Sequence, residues 1–326
     1  MAKSSKIEIF VLTCNRLAFL KESLESLFAQ TLPPLRISVM DNASSDGTSE
    51  YLDNLAKERP DFAHVRHAEN IGGGGNFESA LHLAEADYVM FFHDDDILHP
   101  RYVEFAEKLT EEYPGIALMS SDYVAPKEVN GSNWEDVSSG HYLCKGRESF
   151  AAFLYGVGRI AFSCAIYRRE YIANKRLDTR NFGKICDKIF MLDAVPPGAY
   201  AAVFSDKRLL RYRIHAGQDT KAVSSGPFYG EIVKHNKFFR RELNGSLLGR
   251  AVFEMCCYRN LKSLYNMGDC GGLSLVEFID RAHADGAASA LTQICARGCG
   301  KPLYGLCNIG KAVFSGIFPR RSIFGK

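Results

Sequence analysis

Tyr88-Val89-Met90-Phe91-Phe92-His93-Asp94-Asp95-Asp96 is the stretch that decides how this chain is read. An apolar run passes directly into three consecutive carboxylates, and Ile97-Leu98-His99-Pro100 follows. The run has the composition of a strand buried on both faces, so the acids fall where that strand leaves a sheet. Adjacent carboxylates repel one another, and a fold keeps three of them at such a point mainly when a cation sits among them. Mg²⁺ or Mn²⁺, held by one or two carboxylates and completed by substrate phosphates, suits that chemistry. A solvated acidic turn is the plainer alternative, though turn acids rarely follow so apolar a strand.

Upstream the pattern alternates. Ile7 to Leu12 reads as a strand, and Leu17, Leu20, Leu24 and Leu27 follow at helical spacing before Pro33-Pro34. Arg36 to Met40 is a second strand, closed by the polar turn Asp41-Asn42-Ala43-Ser44-Ser45-Asp46-Gly47, with a helix beginning near Thr48. His64 to His67 is a short third strand, and Gly72-Gly73-Gly74-Gly75-Asn76 opens another helix. This β-α-β-α-β-α-β order predicts an α/β fold, a doubly wound and mostly parallel sheet with helices on both faces. Ligands of such sheets bind beyond the carboxyl ends of the strands, where Thr13, Asp41, the glycine run and the acid triplet all fall.

Later segments are less regular. A helix to about Glu112 and a strand at Ile116–Ser120 precede a polar stretch over 121–147. Tyr200–Phe204 and Leu209–Arg213 read as late strands, and from about Pro227 the pattern is helical. We therefore expect a catalytic unit over residues 1–225 and a helical C-terminal region over 226–326. The chain has 326 residues, 46% apolar and 24% charged, which is ordinary for a globular protein. A net charge of +2 argues against a general nucleic-acid binder. Ten scattered cysteines without a C-x-x-C pair, and no leader-like segment before the first strand, read as reduced thiols in a cytoplasmic protein. No apolar run approaches the length of a membrane span.

The individual residues leave choices open. Gly72 to Gly75 could present free backbone N–H groups to a phosphate, or be no more than a loose turn. Asp41 could accept hydrogen bonds from a ribose or base, or cap its own turn, as could Asp46.

Taken together, four segments resemble family 2 glycosyltransferases in order and spacing. They are Phe10-Val11-Leu12-Thr13-Cys14-Asn15-Arg16, Val39-Met40-Asp41-Asn42-Ala43-Ser44-Ser45-Asp46-Gly47-Thr48, Asn70-Ile71-Gly72-Gly73-Gly74-Gly75-Asn76 and Phe92-His93-Asp94-Asp95-Asp96. The resemblance covers roughly residues 6–220. It implies the GT-A fold, an inverting transfer and a nucleotide-diphosphate sugar donor, a UDP-sugar first. By the same resemblance Thr13, Asn15, Arg16 and Asp41 would line the nucleoside pocket, and Asn70, Gly72 and Gly75 would lie near the nucleotide sugar. Asp94 and Asp96 match the family's metal- and diphosphate-binding pair, with Asp95 contacting the donor, although any two of the three could hold the ion.

An inverting transfer also needs a base for the acceptor hydroxyl. The family's aspartate, usually in a Glu-Asp pair at a helix start, matches Asp187 in Gly183-Lys184-Ile185-Cys186-Asp187, with Cys186 in place of the glutamate. Asp178 and Asp193 are competitors. His215, in Arg211-Tyr212-Arg213-Ile214-His215, matches a segment that brings a histidine to the metal and diphosphate, and its imidazole suits Mn²⁺ better than Mg²⁺. Arg211 and Arg213 could add phosphate contacts or be solvated.

The tail after Asp285 mixes Arg297, Lys301, Lys311, Arg320, Arg321 and Lys326 with large apolar residues. That mixture suits an anionic membrane surface, at the cytoplasmic face of the inner membrane, or a helix packed on the protein or on a second copy. A membrane-facing tail would fit a lipid-linked acceptor. The leading expectation is transfer of a sugar to a glycan or lipid-linked hydroxyl in surface polysaccharide synthesis. A nucleotidyltransferase, or an inactive glycan- or partner-binding module, is the alternative. Thr13-Cys14-Asn15-Arg16 is a poor phosphate signature for the former, and the set Asp94, Asp96, Asp187 and His215 argues against the latter.

Overall fold

The computed structural model describes residues 4–123, 136–157, 160–215, 228–267, 272–299 and 320–321. The first half follows the expected alternation: β1 (Ile7–Thr13), α1 (Leu17–Phe28), β2 (Arg36–Asp41), α2 (Thr48–Glu58), β3 (Phe62–Arg66), α3 (Gly72–Leu83) and β4 (Tyr88–His93). These strands are parallel. β1 lies between β2 and β4, with Val11 opposite both Val39 and Phe92, and β3 pairs with β2.

Beyond β4 come β5 (Ile97–Leu98), α4 (Tyr102–Glu112), β6 (Leu118–Ser121), β7 (His141–Lys145), α5 (Gly146–Ala152) and β8 (Ile166–Arg168). Three short helices follow, α6 (Arg169–Ile172), α7 (Thr179–Phe182) and α8 (Asp187–Asp193), then β9 (Tyr200–Phe204) and β10 (Leu210–Arg211). With β11 (Arg320–Arg321), the main sheet runs β11-β7-β9-β6-β8-β4-β1-β2-β3. β8 is antiparallel to β4 and β6, and β7 to β9, so the later half is mixed. β7 falls in a stretch that reads as irregular, because a five-residue strand is held by its neighbours rather than by a long apolar pattern. Leu209–Arg213 reads as one strand, yet only Leu210 and Arg211 pair, with β5. Asp206 caps a 3-10 turn before them, and the Arg213 N–H is spent on Asp96 instead of a ladder.

Alternate residues of each central strand enter two different cores. Phe10, Met40, Val89 and Phe91 belong to one, and Val11, Val39, Met90 and Phe92 to the other. That is why the Tyr88–Phe92 run is apolar without alternation. The first core is completed by α9 (Phe228–Glu242), α10 (Leu247–Met267) and α11 (Leu275–Ala284), which add Ile232, Phe239, Leu261 and Phe278. A short α12 (Ala290–Ile294) follows. The C-terminal helices thus share a core with the sheet. Among the described residues no helix is long and apolar enough to cross a membrane. Most of the basic tail lies outside the described residues; of its basic residues, Arg297 pairs with Asp280 at 2.7 Å, and Arg320 and Arg321 pair with Tyr142 and His141 on β7. The seven cysteines whose side chains are described are all free thiols.

Candidate active site

Parallel pairing sets the carboxyl ends of β1, β2 and β4 side by side: Thr13 lies opposite Asp41, and Leu12 opposite His93. The acid turn after β4 is buried. Asp94 is 1%, Asp95 6% and Asp96 0% exposed. Asp94 Oδ2 accepts the Thr13 hydroxyl at 2.7 Å, and its Oδ1 accepts Arg16 Nη1 at 3.1 Å. The same Nη1 is 3.2 Å from Asp95 Oδ2, which also lies 3.0 Å from His215 Nε2. Asp96 Oδ2 accepts the Ser163 hydroxyl at 2.5 Å, and Oδ1 the Arg213 N–H at 3.2 Å. Burial, reinforced by Asp95, pushes the Asp96 carboxyl up to about 6, against the pull of His93, Ser163 and Arg213. Burial also raises Asp94, against Thr13 and Arg16.

His93, Asp95 and Asp96 each offer a ligand atom, all within 4.8 Å of one another. A divalent cation sits roughly 2.0–2.6 Å from its ligands, so pairs spaced no wider than about 5 Å can share one ion. An imidazole with two carboxylates fits Mn²⁺ well. This grouping differs from the pair Asp94 and Asp96. Asp94 turns toward Thr13 and Arg16. His215 meets the group at its edge through Asp95. Arg213 proves to be neither solvated nor available to phosphate through its Nε. It bonds the Asp95 carbonyl, reaches Glu22 at 2.8 Å and Phe19 O at 2.9 Å, and lies over the Phe19 ring.

Beside the acids opens a cleft of about 670 Å³, lined by residues 14–19, Asp46 and His215. Its wall contains Asn15 at φ 54°, and the neighbouring loop contains Ala43 at φ 59°. Left-handed backbone at such residues costs free energy and persists only where surrounding bonds enforce it. Here Asn15 N donates to Ser44 Oγ at 2.8 Å, and Ser45 N to Asn15 Oδ1 at 2.7 Å. Asp41 is fully buried, with Ser44 N on Oδ1 at 2.9 Å and Arg66 on Oδ2 at 3.0 Å. It therefore closes its own turn. Asp46 fastens α1 through Leu17 N and α2 through Thr48. Asn70 joins the same network, its Oδ1 accepting from Asn42 Nδ2 and Gly72 N at 2.9 Å. Gly72 has φ +76°, which favours glycine, and a Cβ at Gly72 or Gly73 would meet nothing within 4 Å. Gly75 packs against Ile71 instead.

Asp187 begins α8, half-buried, with the Lys188 N–H on its Oδ1 at 2.8 Å. Burial raises its carboxyl, and Lys188 and His93 oppose the rise, so Asp187 lies within electrostatic reach of the acid turn. The Phe162 ring spans that gap, 6.1 Å from both the His93 and Phe190 rings. The competitors have structural duties. Asp178 caps α7 through Asn181 N, and Asp193 pairs with Arg147 at 2.7 Å. Burial, then Asp187, pushes the Cys186 thiol up to about 12, so it cannot replace a glutamate's charge at neutral pH.

The sequence reading gave no role to His93, Ser163, Arg66 or Asn42. His93 stood beside the acids and could have been weighed as a ligand. Ser163 carried no signal, because it reaches Asp96 across 67 positions of chain.

Comparison with known proteins agrees with this geometry. A sequence model of glycosyl transferase family 2 matches residues 8–174, just over half of the chain. A β-1,3-glucosyltransferase of Campylobacter jejuni, named for GalNAc(5)-diNAcBac-PP-undecaprenol, is 25% identical over 186 residues, 55% of this chain and 56% of that protein. The abequosyltransferase RfbV of Salmonella typhimurium is 35% identical over 96 residues, 28% of each chain. The chain thus spans about half, or less, of the curated relatives it matches. The crystal structure of S. aureus TarS with UDP-GlcNAc superimposes with a TM-score of 0.62 over 95% of this chain and 92% of that one, at 15% identity. That likeness establishes the fold, and the family match over the acid turn and the β1 and β2 loops places this chain in glycosyl transferase family 2.

Proposed function

We propose that this glycosyltransferase moves a sugar, with inversion, from a nucleotide-diphosphate sugar to a hydroxyl of a glycan or lipid-linked acceptor in surface polysaccharide synthesis. The observation that carries the reading is the bond set joining Thr13, at the end of β1, and Arg16, in the cleft lining, to Asp94 and Asp95 of the acid turn. It sets a nucleoside-sized cleft next to a buried group able to hold a cation. The nucleoside of a UDP-sugar would lie along Thr13, Asn15, Arg16 and Asp41, with the diphosphate toward Asp94, Asp95 and His215. Asn70, Gly72 and Gly75 would border the sugar side. His93, Asp95 and Asp96 would hold Mn²⁺ or Mg²⁺, which when bound offsets charge on the departing nucleotide diphosphate.

Asp187 takes the proton of the acceptor hydroxyl as its oxygen attacks the anomeric carbon. The bond from that carbon to the diphosphate oxygen breaks on the opposite face. Residues 1–225 form the catalytic unit. The tail within 226–326 brings the protein to the cytoplasmic face of the inner membrane, where the named acceptor of the Campylobacter relative gives a lipid-linked precedent.

The test is a panel of nucleotide sugars in thermal shift with and without Mn²⁺, followed by transfer assays. A UDP-sugar should raise the melting temperature by mass action, and chelation should remove both that rise and transfer. Stabilisation by no nucleotide sugar, with or without Mn²⁺, overturns the donor assignment. Removing residues 300–326 should release protein from membrane fractions while donor hydrolysis continues.

A further inference from the structure

The side of α8 that begins with Asp187 rests on an aromatic floor. Phe190, three residues on and therefore on the same helix face, meets the Tyr167 ring edge-on at 5.4 Å. Phe91 and Phe162 close the floor, at 6.2 and 6.3 Å from Tyr167. Tyr167 sits on β8 opposite Val89 of β4 and is 0% exposed. Its hydroxyl is buried and has no hydrogen-bond partner among the described residues. A buried phenol normally finds a partner, because an orphaned O–H forfeits its bonds to water. A phenylalanine would fill the same space without that penalty, so an orphaned hydroxyl calls for an explanation.

Asp187 supplies one. It is half-buried, and its Oδ1 accepts the main-chain N–H of Lys188, which leaves carboxylate capacity for a further donor. After burial, the Asp187 carboxylate is the strongest influence raising the phenol's pKa, ahead of Cys164. We infer that Tyr167 is a positioning residue for Asp187: its hydroxyl donates to the Asp187 carboxylate during transfer and fixes the oxygen that receives the acceptor proton. The inference rests on Asp187 being the base. It requires no change in Tyr167 protonation, since the phenol only donates a hydrogen bond.

The experiment is a double-mutant cycle between Tyr167→Phe and Asp187→Asn, with kcat, donor KM and melting temperature measured for each variant. Tyr167→Phe should lower kcat about tenfold, with donor KM unchanged and the melting temperature equal to or above that of the parent. In the Asp187→Asn background it should cost nothing further, since residues acting as a unit are not additive. Wild-type kcat in Tyr167→Phe, beside a defective Asp187→Asn, overturns this inference and leaves the base assignment standing. Near-normal transfer by Asp187→Asn overturns both. A fall in kcat matched by a fall in melting temperature also overturns it, because the hydroxyl would then serve only the fold.

Discussion

The acid turn and the start of α8 both present aspartates to one region, and they are built in opposite ways. Around Asp94, Asp95 and Asp96, side chains and main-chain groups from β1, the segment before β8 and the segment after β10 bond the carboxylates. Asp187 instead takes its donors from the main chain at its own helix start, Lys188 N at 2.8 Å among them. The difference suits the tasks proposed for the two places. Groups that hold a cation and a diphosphate gain from rigid placement before the ligand arrives. A base must accept a proton, so a carboxylate saturated with donors would be a poor one. Donor recognition and proton removal should therefore separate cleanly on mutation.

The sharpest attempt to break that separation is Asp187→Asn. Transfer should fall by about 10²–10⁴-fold, with Mn²⁺-supported nucleotide affinity near that of the parent by calorimetry. Asp178→Asn and Asp193→Asn should cost far less turnover. If Asp193→Asn is the damaging change and Asp187→Asn is not, the base lies at the other end of α8.

Asp96→Ala tests the opposite side of the comparison. It should weaken Mn²⁺-supported nucleotide binding by at least the roughly 10–100-fold typical of a lost outer partner of a metal ligand, with a nearly unchanged melting temperature. Full nucleotide affinity in this variant removes the metal assignment. Asp41→Ala should cost about 1–3 kcal/mol of nucleotide affinity if the buried carboxylate bonds the nucleoside. Unchanged affinity with a lower melting temperature would confine Asp41 to its turn and to Arg66.

The smallest expected effect concerns the ground behind α8. His235 on α9 is 6% exposed, its Nδ1 is unpartnered among the described residues, and burial, then Lys188, lowers its pKa to about 3. In the unfolded chain the ring titrates near pH 6.5 and binds the proton first. Stability is therefore full above about pH 6.5 and falls as pH drops toward 3, with about 2 kcal/mol lost by pH 5. His235→Phe should reduce the drop in melting temperature between pH 7.5 and pH 5. An identical drop in both proteins would show that His235 is not the group responsible.

The first half of the fold was legible because its signals are local. The apolar strands, the leucine spacing in α1 and the polar turn after β2 each carry a periodicity that nearby residues alone satisfy. β7 was not legible, since a strand of five residues draws its stability from β9, and β8 was legible only as one strand-like piece in a mixed stretch because its three residues are held by β4 and β6. The same division runs through the site. Thr13, Arg16 and the three aspartates stand at strand ends that the pattern locates. Which acids face a common point, that Arg213 is bound up in holding the turn, and that Ser163 reaches Asp96 were decided by contacts between residues 67 or more positions apart. Sequence determined that carboxylates would gather beyond a parallel sheet, because strand period and chain direction fix where each strand ends. Only the packed structure decided how they divide, because side-chain direction in a turn depends on which distant donors arrive to meet it.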